Sequence, residues 1–392
     1  MVRRNGLTIG VSLLLAGLLL GCGSKPVVGV LLPSTGEAGT YGESIESGIR
    51  LALSDSRDKG ALPTGFDVVW ADTQSNPRLA LSELERMAGE RGIRLVVGGA
   101  TSAEAQAIIP QLEELDVVCL SPSASTPGLA QKSRLFFRIY PSDELEGHTA
   151  AKFLFDRLAQ TRVILYAGNG EYVGGIEPEF RKQFEEALGG EVVVRVALED
   201  SDWREQSAAA LRATGVGAVY IVGYAPETLG VLVHLGEAGF KGRIATTSAF
   251  YSSRVIREAG PLAEGILFPL PPFDRTSEKE PVLSFVNHYM DTYQRAPDVF
   301  AAHGYDAMKF AIEVMKISSP PQTQEIRRAM QFGVTDFMGV TGPIIFDDYG
   351  DVKHYPKMFI VKEGQVLSYQ RYLKTERARI IREVQNLLTD KN

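Results

Sequence analysis

Between residues 27 and 268 the chain returns again and again to short, wholly apolar runs, each closed by turn-forming residues and followed by a helical pattern. Val27-Val28-Gly29-Val30-Leu31-Leu32 leads into Pro33-Ser34-Thr35-Gly36, and a helical pattern then runs from about Tyr41 to Ser54. Phe66 to Trp70, Leu95 to Gly99 and Val117 to Leu120 repeat the unit. Asn76-Pro77 and Thr101-Ser102 read as helix openings, because Asn and Thr oxygens accept the free N–H groups of a first turn and Pro has no N–H to lose there. A strand that is apolar on both faces must be covered on both, and parallel neighbours need a crossover long enough for a helix. The pattern therefore predicts an α/β fold built on a doubly wound parallel sheet.

Near residue 142 the pattern starts again. Val163 to Tyr166, Glu191 to Val196, Ala218 to Val222, Arg243 to Thr246 and Gly265 to Phe268 read as strands, with helices such as Glu227 to Glu237 between them. Pro269 to Pro272 reads as a crossover, and a helical block follows from about Pro281 to Phe332. Gly342 to Phe346, Pro356 to Val361 and Gln365 to Tyr369 are expected as late strands, and a charged helix from about Thr375 to Leu387 closes the chain. A length of 392 residues accommodates two such sheets, each with its own core. The halves repeat as architecture and not as sequence.

Charge and chemistry narrow the function. Lys+Arg number 41 against 48 Asp+Glu, a net charge of −7, and no basic block stands out, so nucleic acid is not an expected partner. Two cysteines, Cys22 and Cys119, exclude a disulfide scaffold and a cysteine-based zinc site. His148, His234, His288, His303 and His354 include no pair at metal-ligand spacing, and no metal or other cofactor is expected. No G-x-S-x-G elbow or Walker A loop is present. Gly168-Asn169-Gly170 with Gly174 is one residue too long for a dinucleotide loop. Cys119 sits in an apolar strand and reads as core, His303 as a packed or interface histidine, and Glu113-Glu114 and Asp347-Asp348 as solvated turn or helix faces. The chain is expected not to be an enzyme.

The strand ends are polar: Ser34, Thr35, Thr101, Ser102, Ser123, Ser125, Tyr172, Tyr224, Thr247 and Ser248. Ligands of doubly wound sheets bind outside the carboxyl ends of the strands, and hydroxyls beside helix N-termini suit a carboxylate. Helix capping explains any one of these residues alone. Their collection at one edge of both sheets points to a cleft.

The N-terminus carries Arg3 and Arg4, then an uncharged run from Gly6 to Leu20, the form of a secretory signal. Leu19-Leu20-Gly21-Cys22 resembles a bacterial lipobox. The resemblance implies removal of residues 1–21 and acylation of Cys22. Gly23-Ser24-Lys25 then completes a tether over 22–25. This implies a membrane-anchored lipoprotein facing the periplasm or cell exterior.

Gly29 to Gly36 with Tyr41-Gly42, Gly48 to Leu53, Asp72 to Pro77, Val96 to Gly99 leading to Ser102, Ser121 to Pro127, Gly223-Tyr224, Tyr305-Asp306-Ala307 and Phe346 to Asp351 occur in an order and spacing that resemble one family. It is the type I periplasmic solute-binding proteins of the leucine/isoleucine/valine-binding class, which serve ABC transporters. The resemblance covers about residues 26 to 372. It implies two Rossmann-like lobes joined by a three-strand hinge, with crossovers near 139–143, 269–273 and 338–342. Residues 26–141 with 272–338 would form the N-terminal lobe, and 142–271 with 339–392 the C-terminal lobe. The lobes would close on a small amino acid, amide or carboxylate and deliver it to an ABC permease, the protein acting as a monomer. A non-transport sensor or envelope-regulating lipoprotein on the same fold is the alternative.

By the same resemblance, Ser102, Ser123, Ala124 and Ser125 hold a ligand carboxylate or carbonyl. Tyr41 stands at the cleft edge and Tyr172 and Tyr224 on the second lobe, where Phe250 is expected beside them in an aromatic wall. Amino-acid-binding members place an acid where this chain has Ser248. Either another acid serves, with Glu171 the nearest candidate, or the ligand lacks an ammonium.

Overall fold

The computed structural model describes residues 25–251, 253–318 and 321–389. The expected signal segment, Cys22 and the expected tether up to Ser24 lie outside the described residues. Among the described residues no helix is long and apolar enough to cross a membrane.

The first sheet contains β1 (Val27–Leu32), β2 (Asp67–Asp72), β3 (Leu95–Gly98), β4 (Val118–Ser121) and β5 (Phe136–Arg138), in the order β2-β1-β3-β4-β5. All of its pairings are parallel, with Val30 opposite Trp70 on one side and Val97 on the other. The second sheet begins with β6 (Arg162–Ala167), β7 (Glu191–Ala197), β8 (Ala218–Val222), β9 (Arg243–Thr246) and β10 (Leu267–Leu270). After the small hairpin β11 (Met338–Gly339) and β12 (Gly342–Pro343), two further strands join it, β13 (Lys357–Lys362) and β14 (Gln365–Ser368). The order is β14-β13-β10-β9-β8-β6-β7, and β13 runs antiparallel to β10. Continuous apolar strands thus form a wholly parallel first sheet and the parallel part of the second, β6 to β10, to which β13 and β14 add an antiparallel edge. On β6, Val163 and Leu165 enter one core while Ile164 and Tyr166 enter another on the opposite face, the period of two that a strand imposes.

Small residues set the helix packing on the first lobe. A Cβ added at Gly48 would lie 2.0 Å from the Ala301 carbonyl oxygen, and one at Gly304 2.3 Å from that of Ile45. Helix Gly39–Asp58 and helix Val299–Ile317 therefore meet backbone to backbone, which only residues lacking a side chain permit.

Three differences from the expected elements stand out. Strand β5 has no counterpart among the expected elements, because it has only three residues and the third is the charged Arg138. Gly342 to Phe346 is not one strand: only Gly342 and Pro343 pair in the hairpin, and Phe346 makes an isolated bridge to Val352. The last helix spans Tyr369–Thr389 and starts before the expected Thr375. The third passage between lobes also comes late. Val340, Ile344 and Phe346 pack in the first core, and residues of the second core resume at Met358. Buried Asp306 explains why residues 338–342 stay with the first lobe: it accepts the Val340 N–H at 2.9 Å, the Thr341 N–H at 2.8 Å and the Thr341 hydroxyl at 2.6 Å.

Candidate ligand-binding cleft

In each sheet the strand order reverses once, between β1 and β3 and between β6 and β8. Loops that leave on either side of such a point diverge and open a crevice. The sequence places its polar strand ends at these crevices.

On the first lobe, Pro33, Tyr41, Ala100, Thr101, Ser102, Ser123, Ser125 and Phe300 line a cavity of about 200 Å³. Helix Ser102–Ile108 is held there by a capping box in which Thr101 and Glu104 exchange hydrogen bonds of 3.2 Å. Glu104 is fully buried and also accepts a short hydrogen bond from Thr73. The serines are tied to one another's backbone. Ser102 Oγ accepts the N–H groups of Ser125 at 3.3 Å and Thr126 at 3.2 Å. Ser121 Oγ accepts the Ala124 N–H at 3.1 Å, and Ser123 Oγ donates to the Ala100 carbonyl at 2.6 Å. Ser125 Oγ donates to Asp143 Oδ2 at 3.1 Å. In this state the N–H groups of residues 124 and 125 are therefore satisfied within the lobe, and the Ser102 hydroxyl proton remains as a donor into the cavity.

The loop is anchored from below. Arg138 is completely buried and forms a bidentate ion pair with Asp351, while Nη1 donates to the Thr126 carbonyl at 2.8 Å. Asp351 comes from the segment 347–351, itself folded around Asp347, whose Oδ1 accepts three successive N–H groups at 2.9 Å. Neither Asp347 nor Arg138 is idle surface charge.

On the second lobe, Tyr172 and Tyr224 stack with ring centroids 5.0 Å apart, and Tyr224 is 53% exposed toward the opening. Tyr41, also 53% exposed, rests on Phe300 across the first-lobe rim at 4.8 Å. Glycines following β6 and β8 give Glu227 room: a Cβ at Gly168 would lie 2.4 Å from its Oε1. Glu227 Oε2 in turn accepts the Tyr224 N–H at 2.7 Å and fixes the start of helix Ala225–Glu237.

Behind the tyrosines lies an acid that the sequence did not reveal. Glu146 is 4% exposed, and its Oε2 accepts the Ser248 N–H at 2.9 Å and the Tyr172 hydroxyl at 3.3 Å. It sits in the first turn of helix Glu144–Lys152, where acidic residues ordinarily serve the helix dipole. Nothing in Asp143-Glu144-Leu145-Glu146 marks one of them as turned inward. Gly147 brings it there: a Cβ at that position would lie 2.4 Å from the Ile176 carbonyl, so helix Glu144–Lys152 packs hard against helix Glu171–Arg181, which carries Tyr172. Burial, and then repulsion from Asp143, raise the Glu146 carboxyl above its usual range. Asp143 is raised as well, chiefly by burial, with its Ser125 bond and Arg138 acting against the shift. The Glu171 side chain lies outside the described residues.

Two expected site residues do not line the cleft. Phe250 is fully buried in the second-lobe core, edge-on to Phe268 at 5.8 Å, because the turn Ser248–Phe250 rotates it away from the opening. The Ala124 side chain is 1% exposed and packs in the first-lobe core, and its N–H is taken by Ser121. Cys119 is buried and burial holds its thiol strongly protonated. His303 is buried too, bonds the Val299 carbonyl at 2.8 Å, and is pushed down to about 3 by desolvation, which suits a packed neutral ring and not a base. No group of His, Cys, Asp and Glu among the described residues has the geometry to hold a metal ion.

The sequence model of the periplasmic binding protein family matches residues 26–363. The chain belongs to that family. Among its relatives is the leucine-, isoleucine-, valine-, threonine- and alanine-binding protein of Pseudomonas aeruginosa, 25% identical over 328 residues, or 82% of this chain and 86% of the relative. A leucine-binding protein from Thermotoga maritima has a similar structure, with a TM-score of 0.70 at 26% identity over 88% of this chain and 97% of its own. A solute-binding protein from R. palustris in complex with benzoate shares the fold at 19% identity, TM-score 0.68, over 88% of this chain and 95% of its own. The family consists of binding proteins, so the expectation of a non-enzymatic role is met at the level of family. The last helix, Tyr369–Thr389, lies beyond the matched region.

Proposed function

We propose that this chain is the extracytoplasmic substrate-binding lipoprotein of an ABC transporter, held to the membrane through Cys22, and that it captures a small amino acid, amide or carboxylate between its lobes. The observation that carries the reading is the pairing of two unlike edges at the two sheet reversals. One edge offers hydroxyls and a helix start at Ser102 and Ser125, the other a stacked tyrosine pair at Tyr172 and Tyr224 with buried Glu146 behind it. Such edges can enclose a small polar molecule on all sides once the lobes approach. The amino acids named for the Pseudomonas and Thermotoga relatives favour an amino acid. The benzoate complex keeps an amine-free acid in view.

Mass spectrometry of the molecule released when the purified protein is denatured tests the capture; a small polar solute at about one per chain supports it. The anchor has its own test. Cys22→Ser is expected to leave the membrane fraction, and recovery of that variant in the membrane at the mass of the processed protein contradicts the anchor.

A further inference from the structure

We propose that Glu146 is the group that receives a ligand ammonium in this protein, standing in for the acid missing at Ser248, and that the ligand is accordingly an α-amino acid. The inference rests on the reading of the chain as a ligand-capturing protein.

The argument is one of unbalanced charge. Glu146 is nearly inaccessible and has hydrogen-bond donors in Ser248 and Tyr172, but no Lys or Arg forms an ion pair with it among the described residues. Asp143 stands beside it in the same turn and adds a second acid. The cation in the neighbourhood, Arg138, is already committed to Asp351 and to the loop carbonyls. A buried carboxylate without a counter-ion is costly and is ordinarily paired. One further donor is also left over: the Tyr220 hydroxyl, fully buried and close enough to feel the Glu146 charge, has no hydrogen-bond partner among the described residues.

Position decides what supplies the missing charge. Glu146 lies directly behind Ser248 and Tyr172 on the second-lobe edge. Ser125, which bonds Asp143, lines the first-lobe cavity together with Ser102. An ammonium at Glu146 thus leaves a carboxylate of the same molecule facing the Ser102 hydroxyl and the start of helix Ser102–Ile108. The two ends of a zwitterion meet groups of opposite character, and an amine-free acid would bring a further carboxylate to the two acidic side chains already there.

Calorimetric titration of the full chain, wild type and Glu146→Gln, tests this with the protein amino acids as probes, each beside the carboxylic acid that lacks its amino group, and with benzoate. At least one amino acid is expected to bind the wild type, and its amine-free counterpart to bind roughly 30-fold or more weaker. Glu146→Gln is expected to lose the amino acid by a similar factor while binding the amine-free acid no worse than the wild type does. The comparison of the two ligands on the wild type needs no variant and so holds even if Glu146→Gln folds poorly. Binding of benzoate or another amine-free acid with no amino acid bound, or full affinity for the amino acid in folded Glu146→Gln, overturns the Glu146 assignment and leaves the capture reading standing. No response to any probe, with no small molecule released on denaturation, removes both.

Discussion

On the first-lobe edge of the cleft Ser102, Ser121, Ser123 and Ser125 each have a partner within the lobe or at the crossover, whereas on the second-lobe edge Glu146 has hydrogen-bond donors and, among the described residues, no Lys or Arg in an ion pair with it. The first edge is a closed network. Its capping box, its serine-to-backbone bonds and the buried Arg138–Asp351 pair satisfy one another, and only the Ser102 hydroxyl proton is left over. The second edge is electrically incomplete. Its fold is held by β6, β8 and the tyrosine stack, and on the proposed reading the ligand ammonium supplies a counter-ion to its central acid. Shape and rigidity come from one edge and, on the proposed role of Glu146, the discrimination between ligands with and without an ammonium from the other.

The largest effect is expected from breaking the first network at its root. Asp351→Ala leaves Arg138 buried and unpaired, which should cost about 3–5 kcal/mol of stability by chemical denaturation. A loss under about 1 kcal/mol, the range of an exposed pair, would show that the first edge is not held from below.

Ser102→Ala sharpens the comparison. Its hydroxyl accepts two N–H groups and still has a proton to give, so it serves both fold and ligand. Affinity for the co-purified molecule should fall by about 10- to 150-fold, the effect of one hydrogen bond to a charged group. A fall in melting temperature with unchanged affinity would assign Ser102 to the network alone.

Glu146→Gln should act in the opposite sense on the empty protein. The Glu146 carboxyl is raised in the folded state, so the folded protein holds that proton more tightly than the unfolded chain. Its contribution to stability is therefore complete at acid pH and is lost as pH rises from about 4.3 through the raised value. Gln does not titrate. Thermal melts without ligand should show the variant about 1 kcal/mol or more above wild type at pH 8.5, with the gap closing toward pH 4.5. Equal melts across that range would mean that the Glu146 charge is compensated in the empty protein.

The sheets could be read from the sequence because strands covered on both faces must be apolar throughout, and Val27–Leu32 or Ala218–Val222 admit little else. Strand β5 could not, since Arg138 is satisfied by Asp351 far along the chain. The same holds for the site. Ser102, Ser123, Ser125, Tyr172 and Tyr224 follow strands directly, so topology alone carries them to the crevices. Glu146 follows a crossover and a helix start, where an acid is ordinary, and only the close approach allowed by Gly147 turns it inward. Phe250 misleads for the converse reason: it follows β9 as site residues do, but a single tight turn returns it to the core.

Lobe closure on a ligand is the claim on which the rest depends. A ligand can shift the lobes only by binding the closed arrangement more tightly than the open one. Small-angle scattering of the full chain, stripped of bound molecules and then saturated with the ligand identified from the purified protein, measures this directly. A smaller radius of gyration on saturation is the result this account predicts. An unchanged radius at saturating ligand would contradict it.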